Sequence, residues 1–116
     1  MVRNAGGRAF DAIRTLAALQ TIGAPGTIVV MHHTDCGMSH FHDSAIKKAL
    51  LEIAPEAKNS IEATKFDLVR IEDTVREDVA ILRASPLIKK STQIVGLNWD
   101  IKTGVLSVVD QDKSEL

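Results

Sequence analysis

Residues 27–31, Thr-Ile-Val-Val-Met, are a short, uninterrupted apolar run rich in β-branched side chains. Such a run keeps no polar side for water, the pattern of a strand buried on both faces of a parallel sheet. The preceding residues fit that setting. From Ala9 to Gln20, the apolar Phe10, Ile13, Leu16, Ala17 and Leu19 recur at helical spacing, and Gly23 with Pro25 follows as a stop signal. A helix leading into a buried strand predicts an α/β architecture of the βαβ type.

Downstream, Asp43 or Ser44 can cap a helix carrying Ile46, Ala49, Leu50 and Ile53, which Pro55 ends. Residues 57–64 are polar and read as loop or short helix. Leu68, Ile71, Val75, Val79 and Leu82 mark one face of a long helix whose other face is charged. Ser85 and Pro86 then read as the cap and first position of another short helix. Thr92 to Trp99 is strand-like, Asp100 to Gly104 is a turn, and Val105 to Val109 is a final strand, so the chain is expected to close with a hairpin. Without an internal repeat or linker, residues 1–116 are expected to form one domain.

Charge and apolar content narrow the function classes. Fourteen basic and fifteen acidic side chains leave a net charge of −1, with no basic stripe or aromatic platform for nucleic acid. No apolar stretch approaches the roughly 18 residues needed to span a bilayer. The opening residues lack the pattern of a secretory signal, and a single cysteine makes no internal disulfide, so a reducing, cytoplasmic setting is expected.

The chemistry-bearing stretch is His32-His33-Thr34-Asp35-Cys36-Gly37, at the carboxyl end of the buried strand, where open α/β sheets usually place their sites. A turn between His33 and Cys36 can bring an imidazole nitrogen and a thiolate to one cation, a donor pair that suits zinc better than magnesium or calcium. The alternative is a buried thiol beside a hydrogen-bonded histidine. His32 alternates to the other side of the strand and reads as a packed or surface residue. His40 and His42 lie near enough in sequence to add a ligand, although a polar loop is the simpler home for them. Asp35 reads either as an outer partner of the metal ligands or as a solvated turn residue. Gly6 and Gly7, just before the first helix, allow close approach of an anion or small substrate to the backbone, or simply make a tight turn.

Four segments together resemble the β-class carbonic anhydrases: Arg-Asn-Ala-Gly-Gly at 3–7, His-His-Thr-Asp-Cys-Gly-Met at 32–38, residues 75–88, and Gly-Leu-Asn-Trp-Asp-Ile-Lys-Thr-Gly-Val-Leu at 96–106. They occur in the family's order across nearly the whole chain. The resemblance implies a mainly parallel sheet flanked by helices, and a zinc enzyme that interconverts carbon dioxide and bicarbonate. It makes His33 and Cys36 two of three protein ligands, with water in the fourth position activated by the metal. It also makes Ala5, Gly6 and Gly7 the wall of a small substrate pocket, and implies a homodimer or higher oligomer. Related scaffolds handle carbonyl sulfide or carbon disulfide.

The family carries a Cys-x-Asp-Ser/Ala-Arg motif ahead of the Arg-Asn-Ala-Gly-Gly turn, supplying another zinc cysteine, an aspartate–arginine pair and a central strand. Here Met1 stands two residues before that turn and Cys36 is the sole cysteine. The chain therefore reads as an amino-terminally truncated member, with residues 28–31 lacking a neighbour on one edge. The expected roles are a lyase whose metal shell is completed by His40, His42, water or a partner, or an inactive structural or partner-binding subunit.

Overall fold

A computed structural model describes residues 1–23, 26–37, 42–64, 66 and 70–111. After a 3-10 turn at Ala5–Gly7 come helix α1 (Ile13–Ile22), strand β1 (Thr27–His33), helix α2 (Asp43–Ile53), a 3-10 turn at Pro55–Ala57, helix α3 (Lys58–Ala63), helix α4 (Ile71–Ala84) and strands β2 (Gln93–Trp99) and β3 (Leu106–Gln111). The stop at Pro25 and the helical position Leu68 lie outside the described residues.

β1 pairs in parallel with β2, from Thr27 opposite Gln93 to His33 opposite Trp99. β2 then pairs antiparallel with β3 through the expected hairpin, with an irregularity between Gly96 and Leu97. The turn is held by the Gly104 amide donating to the Asp100 carbonyl at 2.8 Å and the Asp100 amide donating to the Val105 carbonyl at 2.9 Å.

Helix α4 lies across the sheet because its apolar positions fall on one stripe: Val75, Val79 and Leu82 are completely buried. They join Ala9, Ile28, Val30, Ile88 and Ile94 in one core, against which Ile13 and Leu16 of α1 also pack. Contact between α4 and β2 depends on a missing side chain: a Cβ at Gly96 would lie 2.6 Å from Val75 Cγ1 and 3.0 Å from Val79 Cγ2.

Three local expectations are corrected. β1 is buried on one face, since burial alternates along it and Val29 and Met31 are 55% and 46% exposed. Both helices packed on the core, α1 and α4, lie on the Ile28/Val30 side, and no described element covers the other. Neither Asp43 nor Ser44 caps α2: the cap position is His42, while Asp43 opens the helix, pairs with Lys47 and accepts the Phe66 amide at 2.7 Å. Ser85 and Pro86 start a turn without a helix, in which Ser85 Oγ accepts the Leu87 amide and the Ser85 carbonyl accepts that of Ile88.

Among the described residues, β1 pairs with β2 alone. The Gly26 carbonyl accepts from Gln93 and the Thr34 amide donates to Trp99, so even positions bond to β2. Thr27, Val29, Met31 and His33 consequently turn their amides and carbonyls toward the strand's other edge.

Candidate metal and substrate site

The site is built where β1 ends. The Thr34 amide continues the ladder to the Trp99 carbonyl at 2.9 Å, and Thr34 Oγ1 accepts the Ile101 amide at 3.0 Å, tying the end of β1 to the hairpin turn. Asp35 follows with φ of 52°, a left-handed conformation that aspartate tolerates better than most residues. This bend redirects the chain so that Cys36 is buried.

His33 is half-buried, and its Nδ1 lies 2.8 Å from the Thr34 carbonyl oxygen. A carbonyl only accepts, so Nδ1 carries the proton and donates, leaving the lone pair on Nε2. That is how a metal-binding imidazole is usually held, one nitrogen anchored to the protein and the other ready to ligate. His33 and Cys36 thus fit zinc in kind. They fall short in number: among the described residues no group of three His, Cys, Asp or Glu side chains could hold a metal ion, whereas zinc takes four ligands. His42 is exposed at the amino end of α2, and His40 lies outside the described residues.

Beside this donor pair, the predicted pocket wall is fastened to β1. Gly6 and Gly7 take φ of 77° and 66°, and the Gly7 amide donates to the Asn4 carbonyl at 3.0 Å. A Cβ on Gly7 would meet His32 Cδ2 at 3.1 Å and the Met31 carbonyl at 3.2 Å, so this position needs glycine for both conformation and space. Asn4 reinforces the turn, its Oδ1 accepting the Arg8 amide and its Nδ2 donating to the Arg8 carbonyl.

His32, the packed histidine of the pair, is the fastening point. Its Nδ1 lies 3.0 Å from Thr74 Oγ1, whose own proton goes to the Ile71 carbonyl. Its Nε2 lies 3.0 Å from the Gly7 carbonyl and 3.0 Å from Asp78 Oδ2. The Gly7 carbonyl and the Asp78 carboxylate only accept, so Nε2 carries a proton and donates. Asp78, wholly buried in α4, also accepts from Arg8 Nε at 2.9 and 3.1 Å. Arg8 Nη2 donates to Glu77 at 2.8 Å, the guanidinium sits 5.1 Å from the Phe10 ring, and the buried Nη1 finds no acceptor among the described residues.

Sequence reasoning missed the Arg8–Asp78–His32–Thr74 cluster. A signal was present: Asp78 falls between Val75, Val79 and Leu82 on the stripe of α4 that faces the core, where a carboxylate needs a partner.

No protein-family model matches the chain. It is 32% identical over 110 residues to β-carbonic anhydrase 1 of Mycobacterium tuberculosis, covering 94% of this chain and 66% of that protein. It is 34% identical over 122 residues to the carbon disulfide hydrolase of Acidithiobacillus thiooxidans, covering 90% of this chain and 60% of that one. Among solved structures, carbonic anhydrase from Glaciozyma antarctica superposes with a TM-score of 0.81 at 33% identity, over 94% of this chain and 66% of the other.

Proposed function

The chain belongs to the β-carbonic anhydrase family, and from that premise we propose that it is a zinc-binding member directed at the reversible hydration of carbon dioxide to bicarbonate. The observation that carries this reading is the state of His33, whose Nδ1 is committed to the Thr34 carbonyl while Nε2 keeps its lone pair, three residues before the buried Cys36. His33 and Cys36 would hold the metal, with further ligands from outside the described residues or from a second copy. Zinc, when bound, supplies a water acidified to near neutral pH as the nucleophile toward the carbon.

The chain's own residues supply placement. The Ala5–Gly7 turn offers a wall with almost no side chain, suited to a substrate of three atoms. His32 and Asp78 hold that wall against the end of β1. Asp35, at the bend between the ligands, is proposed as their outer partner. Carbon disulfide is the corresponding sulfur substrate, named by one relative.

One observation favours a second reading, a non-catalytic structural or partner-binding subunit: among the described residues no group of three His, Cys, Asp or Glu side chains could hold a metal ion. Zinc per chain in the purified protein separates the two. Close to one equivalent, lost in both His33→Ala and Cys36→Ala, with carbon dioxide hydration that follows the metal, is the expected result. Protein that stays metal-free and inert in zinc-replete buffer refutes the enzyme reading and leaves the subunit.

A further inference from the structure

The parallel register sets the end of β1 at His33 opposite the end of β2 at Trp99, so the chain leaving β1 for Cys36 starts beside the hairpin turn. Every amide from Asp100 to Val105 has an acceptor, and all but one close the turn on itself. Asp100 donates to the Val105 carbonyl at 2.9 Å, and Gly104 to the Asp100 carbonyl at 2.8 Å. Lys102 and Thr103 donate to Asp100 Oδ1 at 2.9 and 3.3 Å, and Val105 to Thr103 Oγ1 at 3.3 Å. The exception is Ile101, whose amide points out of the turn to Thr34 Oγ1 at 3.0 Å. A turn closed by its own groups is a fixed support, and its outward donor falls on the residue between the strand and the bend at Asp35.

We propose that Thr34 is a positioning residue: through it, the hairpin turn holds the His33 ring in the orientation and tautomer that leave Nε2 free to ligate. Thr34 is held twice, by its amide donating to the Trp99 carbonyl at 2.9 Å and by its side chain accepting from Ile101. The first bond fixes its backbone and the second its side-chain rotamer. Its carbonyl is in turn the acceptor for His33 Nδ1 at 2.8 Å. Asp35 then leaves the strand with φ of 52°, so that carbonyl is set by these two bonds rather than by a further strand pair. The support is peripheral to the core, with Ile101 49% exposed, so its removal should alter the presentation of His33 more than the stability of the fold. What Nε2 ligates rests on the zinc reading; the hold on the ring does not.

Long-range proton–nitrogen correlation on the full chain, labelled with nitrogen-15 and kept in chelator at mildly alkaline pH, where imidazole is neutral, reports the ring state directly. His33→Ala identifies the His33 signals. The expected result is a single Nδ1–H tautomer in the unmodified chain. Thr34→Val keeps the branched shape without the hydroxyl and should shift the ring toward the Nε2–H tautomer. Thr34→Ser should restore the original state, and the urea midpoints of both should stay close to that of the unmodified protein. Ile101→Pro removes the same bond from the turn side with Thr34 in place, at a turn position proline suits. It should give the same shift, and the double variant no more than either alone. If Thr34→Val does not fold, Ile101→Pro decides. An Nε2–H ring in the unmodified chain, a tautomer that neither variant moves, or no recovery with serine overturns the proposal. Cobalt(II) binding, competed against a chelator, is read separately: Thr34→Val should bind about 10–100-fold more weakly, and equal affinity overturns the proposal as well. A chain that binds no metal while its ring shifts as expected refutes the zinc reading and leaves Thr34 as the residue that positions His33.

Discussion

Replacing Asp78 by alanine tests whether the cluster under the pocket wall is structural ballast or the fastening of the site. Asp78 is 0% exposed and accepts from Arg8 Nε at 2.9 and 3.1 Å and from His32 Nε2 at 3.0 Å. The substitution leaves a guanidinium that is 4% exposed facing only Glu77, itself 42% exposed, and costs His32 an acceptor. Removing one partner of a buried ion pair costs about 3–5 kcal/mol, a large share of the roughly 5–15 kcal/mol that holds a small domain together. Asp78→Asn should rescue little, because its amide nitrogen would face the donors of Arg8 or His32. The contrasting variant is Arg76→Ala, whose pairs with Asp73 at 3.2 Å and Glu72 at 3.8 Å are half-exposed and worth about 0–1 kcal/mol. Urea titration by circular dichroism measures both, and in a thermal scan Asp78→Ala should lower the midpoint by about 10–20 °C. A loss under about 1 kcal/mol, or one equal to that of Arg76→Ala, would refute the assignment of this cluster as a buried, mutually dependent unit.

Two glycines give further tests. Gly96→Ala places a methyl 2.6 Å from Val75 Cγ1 and should destabilise by about 1–3 kcal/mol, partly relieved when combined with Val75→Ala; additive costs in the double variant would show that α4 does not rest on β2 at that point. Gly7→Ala combines a φ of 66° with contacts at 3.1 and 3.2 Å and should cost at least about 1–2 kcal/mol in urea titration, so an unchanged midpoint would mean the turn is not pressed against His32 and Met31.

The elements legible in the sequence were those with an unmistakable period or punctuation. The Val75/Val79/Leu82 stripe set α4, and Asp100 to Gly104 set the hairpin turn. The segment 57–64, read as loop or short helix, contains the helix α3 at Lys58–Ala63. What misled was composition without period. Ile28 to Met31 is apolar at every position, so the residues alone did not show which side had a helix on it; the second layer is a tertiary fact. Ser85-Pro86 carries the chemistry of a helix start, but the same hydroxyl serves a turn, and the chain reaches β2 eight residues later. For the site, adjacency placed His33 and Cys36 at the carboxyl end of a strand, whereas the partners of His32 come from residues 7, 74 and 78, which pattern reading did not connect.

The neighbouring histidines also show how this strand knows its register. A one-residue slip exchanges the faces of every side chain, and in β1 that exchange would trade Ile28 and Val30 for Val29 and Met31 at little hydrophobic cost. Hydrophobic burial therefore does little to distinguish the two registers. The polar end of the strand opposes the slip that would bring Met31 inward: with position 32 inward the Gly7 carbonyl and Asp78 receive a donor and Thr74 a partner, whereas Met31 there would leave those buried groups without one. The same choice sends His33 to the opposite face, with Nδ1 on the Thr34 carbonyl and Nε2 clear of the core. One histidine thus fixes the phase of the strand and the other is presented by it. The buried cluster beneath the Ala5–Gly7 turn thereby sets the position of His33, the proposed metal donor.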